Sequence, residues 1–175
     1  CSSYNQRSRR KRSNSMKKEV ISSSEKDRNS TSKNSNLHLT FPIKLSSLFG
    51  GVWEVNALLD CGATGNFIDI KYSKYLGLNI VSKERPEVVH AVDGKELTSG
   101  LVNEKTENLK LTFENGHVEE ISFDLIDAPQ FHLIIGLPWL LKHNPQIDWS
   151  LRSMTLQSEF CLKNCYLSEP KDLEV

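Results

Sequence analysis

The sequence predicts an all-β domain, small and closed or sandwiched, over residues 37–160 or so, with one or two short helices. Three observations carry this. From Leu37 onward, short runs of alternating apolar residues recur at near-even spacing, separated by Gly-Gly, Asp-Gly and Asn-Gly turns. Only two stretches carry helix signals. An apolar run, Ala57-Leu58-Leu59, ends in a carboxylate, Asp60, and turns at once on Gly62.

The chain of 175 residues suits one domain and is too short for two ordinary ones plus a linker. Its net charge of zero conceals a split. Residues 1–36 hold ten Lys/Arg against three Asp/Glu, and the remainder twelve against nineteen. A basic tail on an acidic domain points to an anionic partner: RNA, DNA or a membrane surface. The four cysteines are too few and too clustered for a secreted disulfide scaffold, which favours a reducing compartment. No apolar run is long enough to span a bilayer and no signal-peptide core is visible, so no membrane-inserted segment is expected, and RNA, with no membrane, is the partner retained for the tail. A start at Cys1 rather than Met suggests a piece of a longer product.

Taken in order, residues 1–36 are Ser, Asn, Lys and Arg with little apolar content, which predicts a disordered basic linker. Its densest block holds Arg7, Arg9, Arg10, Lys11 and Arg12, a candidate RNA-binding arm or nuclear address, with a solubilising linker as the plain alternative. Leu37 to Leu45 alternates as a half-buried strand, and Pro42 suggests a sheet edge. Gly50-Gly51 turns into a second strand, Val52 to Leu59, which delivers Asp60.

Asp69 is a candidate N-cap and Gly77 a candidate C′ residue for a short helix between them. Glu87 to Val92 and Leu97 to Leu101 flank Asp93-Gly94, a strong hairpin signal. Leu109 to Phe113 and Val118 to Ile126 flank Asn115-Gly116, a second hairpin. Leu133-Ile134-Ile135 reads as a fully apolar central strand. Pro138 to His143 fits one or two helical turns, and Ile147–Trp149 with Met154–Leu156 a closing strand pair.

The order Ala57-Leu58-Leu59-Asp60-Cys61-Gly62-Ala63, then Asp93-Gly94, then Leu133-Ile134-Ile135-Gly136 resembles retropepsin-type aspartic proteases. Ile135-Gly136-Leu137-Pro138-Trp139-Leu140, His143-Asn144-Pro145, Ile147-Asp148-Trp149-Ser150 and Cys161-x-x-x-Cys165 look like the protease region of vertebrate Ty3/gypsy (sushi-type) retrotransposons. The likeness runs from about Leu37 to Cys165. The lack of a reverse transcriptase stretch before Val175 suggests a domesticated, Gag-like relative. The implied division is a basic linker over 1–36, a retropepsin-like acid-protease barrel over 37–165 and a short tail over 166–175.

The resemblance implies an endopeptidase in which Asp60 is catalytic. Cys61, Gly62 and Ala63 would form the active-site loop, Val92, Asp93 and Gly94 the flap, and Ile135 and Gly136 the support beneath. A retropepsin monomer supplies one Asp, so a homodimer and a peptide or polyprotein substrate are implied, with no metal or cofactor. One position departs from the family: Cys61 stands where Ser or Thr is usual. A thiol is a poor hydrogen-bond partner, so a catalytically weak Gag-like protein acting in RNA binding or assembly is the alternative.

The five histidines receive no role, and Cys61 as a nucleophile lacks a base that the sequence can place beside it. Cys161-x-x-x-Cys165 could be half of a metal site, but no second pair at ligand spacing accompanies it. Trp53, Trp139 and Trp149 read as core or interface anchors. The expected location is the cytoplasm, with the basic block as a candidate nuclear signal.

Overall fold

The computed structural model describes residues 38–90 and 96–166. The expectations placed on 1–36, on Val92, Asp93 and Gly94, and on most of the tail lie outside those residues. Alternation of buried and exposed side chains builds the first two strands, β1 (Thr40–Ser46) and β2 (Val52–Asp60). They pair antiparallel from Thr40↔Leu58 to Ser46↔Val52. The turn between them needs Gly50, whose φ of 106° is open to glycine.

The remaining strands are β3 (Phe67–Asp69), β4 (Ile80–His90), β5 (Glu96–Thr106), β6 (Leu109–Phe113), β7 (Val118–Ile121), β8 (Asp124–Ile126), β9 (Leu133–Gly136), β10 (Gln146–Asp148) and β11 (Ser153–Thr155). Three short helices complete the fold: α1 (Ile70–Leu76), α2 (Leu137–His143) and α3 (Glu159–Asn164). Nine strands form one curled half-barrel sheet in the order β4-β5-β8-β3-β9-β2-β1-β6-β7, and β10 pairs with β11. Ile43, Leu45, Ala57, Leu111, Leu133, Ile135 and Phe123 are buried together in one apolar core.

Four expectations change. The return strand expected over Val118 to Ile126 stops at Ile121, and Asp124–Ile126 pairs instead with β3 and β5. β1 is interior, paired to β2 on one side and β6 on the other, although Pro42 suggested an edge. The ladder with β6 begins only at Ile43, so Pro42 owes no bond on that side. β3 and α3 were not foreseen. The first is three fully buried residues, and the second a six-residue helix capped by Ser158, whose hydroxyl accepts from Cys161 N at 3.2 Å.

The helix between Asp69 and Gly77 forms as expected. Asp69 accepts from Tyr72 N at 3.1 Å, and Gly77 closes the helix at φ 68°. Trp139 is buried and Trp53 half-buried, but Trp149 is 70% exposed, so it anchors nothing in the core.

Among the described residues no helix is long and apolar enough to cross a membrane.

Candidate functional site

Strand β2 ends at Asp60 because its neighbour ends there too. β9 runs parallel to β2 with Ala57↔Leu133, Leu59↔Ile135 and Asp60↔Gly136 in register. The chain then turns: Ala63 N donates to Asp60 O at 3.1 Å. Gly62 N donates to Asp60 Oδ1 at 2.9 Å, which fixes the carboxylate plane. Oδ2 has no hydrogen-bond partner among the described residues. Asp60 is half-buried, while Cys61 and Gly62 are exposed. A carboxylate with one oxygen tied and one free, at a rigid strand end, is available to a second molecule.

The loop is locked from below. Asn66 Oδ1 accepts from Gly136 N at 3.0 Å, and Asn66 O from Asp124 N at 2.9 Å. Leu137 N, in the first turn of α2, donates to Ala63 O at 2.9 Å. The chain thus crosses itself, with residues 63–66 lying over the β9–α2 junction. The crossing needs glycine at Gly136, where a Cβ would sit 2.1 Å from Gly65 O and 2.6 Å from Ala63 O. Gly62, expected to be the position that needs glycine, is not among the described glycines with positive φ.

Ile135 is buried beneath the loop and Gly136 faces Asp60 across the sheet. The hairpin expected to be a flap has its base beside this loop. Val89 of β4 and Val102 of β5 pack with Phe67 and Ile126, and Ala63 lies against that cluster. β4 and β5 pair His90↔Glu96 at the last described position before the tip. A surface cavity lies elsewhere, across β1, β2 and β6 among Pro42, Lys44, Glu54 and Thr112, and holds none of the loop's residues.

Asn66 and Gly65 were missed in the sequence. Their signal was faint, a Gly-Asn pair five residues past an Asp, of the kind that marks any turn. A second omission is larger. His117 and His143 are fully buried beside Cys161 and Cys165. Burial pushes the His117 imidazole down to about 4, with Glu119 opposing and His143 adding to the shift. Burial, then the Cys161 and Glu119 charges, push the Cys165 thiol up to about 12.

A family model described as the PEG10/RTL1 protease domain matches residues 56–165. Among solved structures, the retroviral protease-like domain of Ddi1 from Leishmania major is 19% identical, with a TM-score of 0.46, covering 78% of this chain and 97% of its own. The EIAV protease complexed with the inhibitor HBY-793 is 16% identical, with a TM-score of 0.45, covering 63% of this chain and 92% of its own. The family match begins within β2 and takes in the Asp60 loop, the crossing at Gly136 and all of α3, well over half of the sequence. The chain belongs to the PEG10/RTL1 protease domain family, and its curled all-β sheet is of the retropepsin type.

Proposed function

We propose that this domain is an aspartic endopeptidase whose active site forms when two copies bring their Asp60 carboxylates together on a two-fold axis. The observation that carries it is Asp60 itself, held by Gly62 N at the end of β2 and backed by Gly136, with its second oxygen open. A single such carboxylate has no acid to work with. Two within about 3 Å cannot both ionise, so the pair shares one proton. One carboxylate then takes a proton from the attacking water while the other donates to the substrate carbonyl.

In this reading Cys61, Gly62 and Ala63 shape the loop, and Ile135 and Gly136 support it. Val92, Asp93 and Gly94 at the β4–β5 tip cover an extended peptide or polyprotein substrate and exclude water. The catalytic domain takes residues 37–165, between a basic segment over 1–36 and a tail over 166–175. The basic residues Arg7, Arg9, Arg10, Lys11 and Arg12 supply a separate, salt-sensitive affinity for RNA.

A second reading has one specific observation in its favour. Cys61 is exposed and unpaired beside Asp60, where a hydroxyl would brace the opposite subunit. A thiol gives that brace less strength, and a symmetric dimer loses it twice. On this reading the fold persists as a weak protease or a binding module of a Gag-like protein.

A cleavage assay on a mixed peptide library across about pH 4–7, the range of a coupled dyad, separates the two. Cleavage by wild type that vanishes in Asp60→Asn supports the protease. Cleavage that survives Asp60→Asn eliminates it. A folded wild type that is silent until Cys61→Ser restores activity supports the second reading.

A further inference from the structure

Four buried side chains that this chemistry does not use converge at the far end of α2, about 10 Å along the helix from its start beneath the Asp60 loop. His117 precedes β7, His143 ends α2, Cys161 lies in α3 and Cys165 caps it. One ligand atom from each lies within 4.8 Å of all the others. We propose that His117, His143, Cys161 and Cys165 form a structural zinc site, a closed tetrahedral Cys2His2 centre for one Zn²⁺ per chain.

The donor set fits. Two sulfurs and two imidazole nitrogens, with no open position, are what Zn²⁺ takes in structural sites. Zn–S and Zn–N bonds of about 2.3 and 2.0–2.1 Å set the edges of such a tetrahedron at about 3.3–3.8 Å. His143 Nδ1 is 3.4 Å from Cys161 Sγ and 3.8 Å from Cys165 Sγ, so two edges of the tetrahedron already stand at nearly the right length, and the rest lie within 4.8 Å.

His117 supplies the second, independent observation. Its ring is fully buried and neither nitrogen has a hydrogen-bond partner. A buried imidazole with both nitrogens unsatisfied calls for a ligand.

Glu119 completes the arrangement. Its Oε2 lies 2.9 Å from His143 Nε2, out of line for a good hydrogen bond, and its Oε1 accepts from Trp139 Nε1. A histidine that ligates metal through one nitrogen is commonly oriented by a carboxylate on the other, and a small ring rotation would align this pair. Zinc binding displaces the proton of each thiol, two per ion, and the two thiolates neutralise the metal's charge. The centre would tie the β6–β7 turn, α2 and α3 into one unit.

The test uses the full chain. Protein purified under reducing conditions without chelator is assayed for metal by mass spectrometry, and metal-free protein is titrated with Co²⁺ alone. The expected result is one zinc per chain, a thiolate–cobalt charge-transfer band with tetrahedral visible bands, and release of two protons per zinc. Replacing Cys1 and Cys61 by Ser leaves all three unchanged, whereas His117→Gln weakens binding at least about tenfold. Wild type that is folded by circular dichroism yet gives no thiolate–cobalt band overturns the proposal, whatever the variants do. So does a Cys161–Cys165 disulfide in the reduced preparation, or undiminished binding after both cysteines are replaced by Ser.

Discussion

Gly136 stands opposite Asp60 across the parallel β2–β9 pair, and its Cα faces the carbonyl oxygen of Gly65 with no room for a side chain. The backbone atoms that a Cβ would strike cannot rotate away as a side chain could. Gly136→Ala therefore forces residues 63–66 off the sheet. The expected loss is about 1–3 kcal/mol, the usual range for overpacking, read as a lower urea midpoint at unchanged slope. Gly77→Ala meets no atom within 4 Å but keeps a φ of 68°, so it separates backbone strain from collision. A Gly136→Ala protein as stable as wild type would show that the crossing is not tight.

Asp69 is buried, and each of its oxygens has its own backbone amide. Oδ2 accepts from Tyr72 N at 3.1 Å and Oδ1 from Ala128 N at 3.0 Å. Asp69→Ala orphans both amides and is expected to cost about 3–6 kcal/mol, one hydrogen bond to a carboxylate oxygen lost for each amide. Asp69→Asn keeps one acceptor and should recover roughly half of that loss. Equal losses in the two variants, measured by chemical denaturation, would mean that only one of the bonds counts.

Cys61→Ser is expected to raise kcat/KM about tenfold if the hydroxyl braces the dyad across the two-fold axis. The same change should lower the protein concentration at which activity appears, since the brace is also a subunit contact. Sedimentation and kinetics on one preparation check both. An unchanged kcat/KM with a tighter dimer would assign position 61 to assembly alone.

Asp148 gives a pH dependence with a definite sign. Its Oδ1 accepts from Leu151 N at 2.9 Å, Ser150 Oγ at 2.7 Å and Ser150 N at 3.0 Å. The Leu151 amide, then the Ser150 hydroxyl, hold the carboxyl below its ordinary value of 3.8. The folded protein thus binds this proton less readily than the unfolded chain does. The stabilisation is complete above pH about 4 and is lost as pH falls through the folded value. Carboxyl NMR should place the Asp148 midpoint below 3.8 and move it upward in Ser150→Ala. A midpoint at or above the ordinary value would contradict the turn geometry.

The hairpins were legible because each carries its own signal in neighbouring residues. Alternation set the faces of β1 and β2, and Asn115-Gly116 placed the β6–β7 turn, where Gly116 has a φ of 90°. The Asp69 cap and the Gly77 stop were legible for the same reason. What the chain brings together from afar was not. Nothing local marks Phe67–Asp69 as a strand, since three consecutive buried residues show no period. The parallel pairs β2–β9 and β3–β8 join segments with no shared turn. Cys161 and Cys165 were set aside for want of a second pair, and the histidines that meet them carry no zinc-type spacing. His143 is 18 and 22 residues from the two cysteines.

The bond from Gly136 N to Asn66 Oδ1 spans 70 residues. During synthesis the β1–β2 hairpin can close as soon as it emerges, but the loop after Asp60 has nothing to rest on until β9 follows. Long-range pairing of this kind comes late and is slow, because loop closure must precede its reward. A nascent chain still short of residue 136 therefore carries its carboxylate on an unfinished scaffold. The order of translation sets the order of assembly: the backbone around Asp60 is complete only once β9 has left the ribosome.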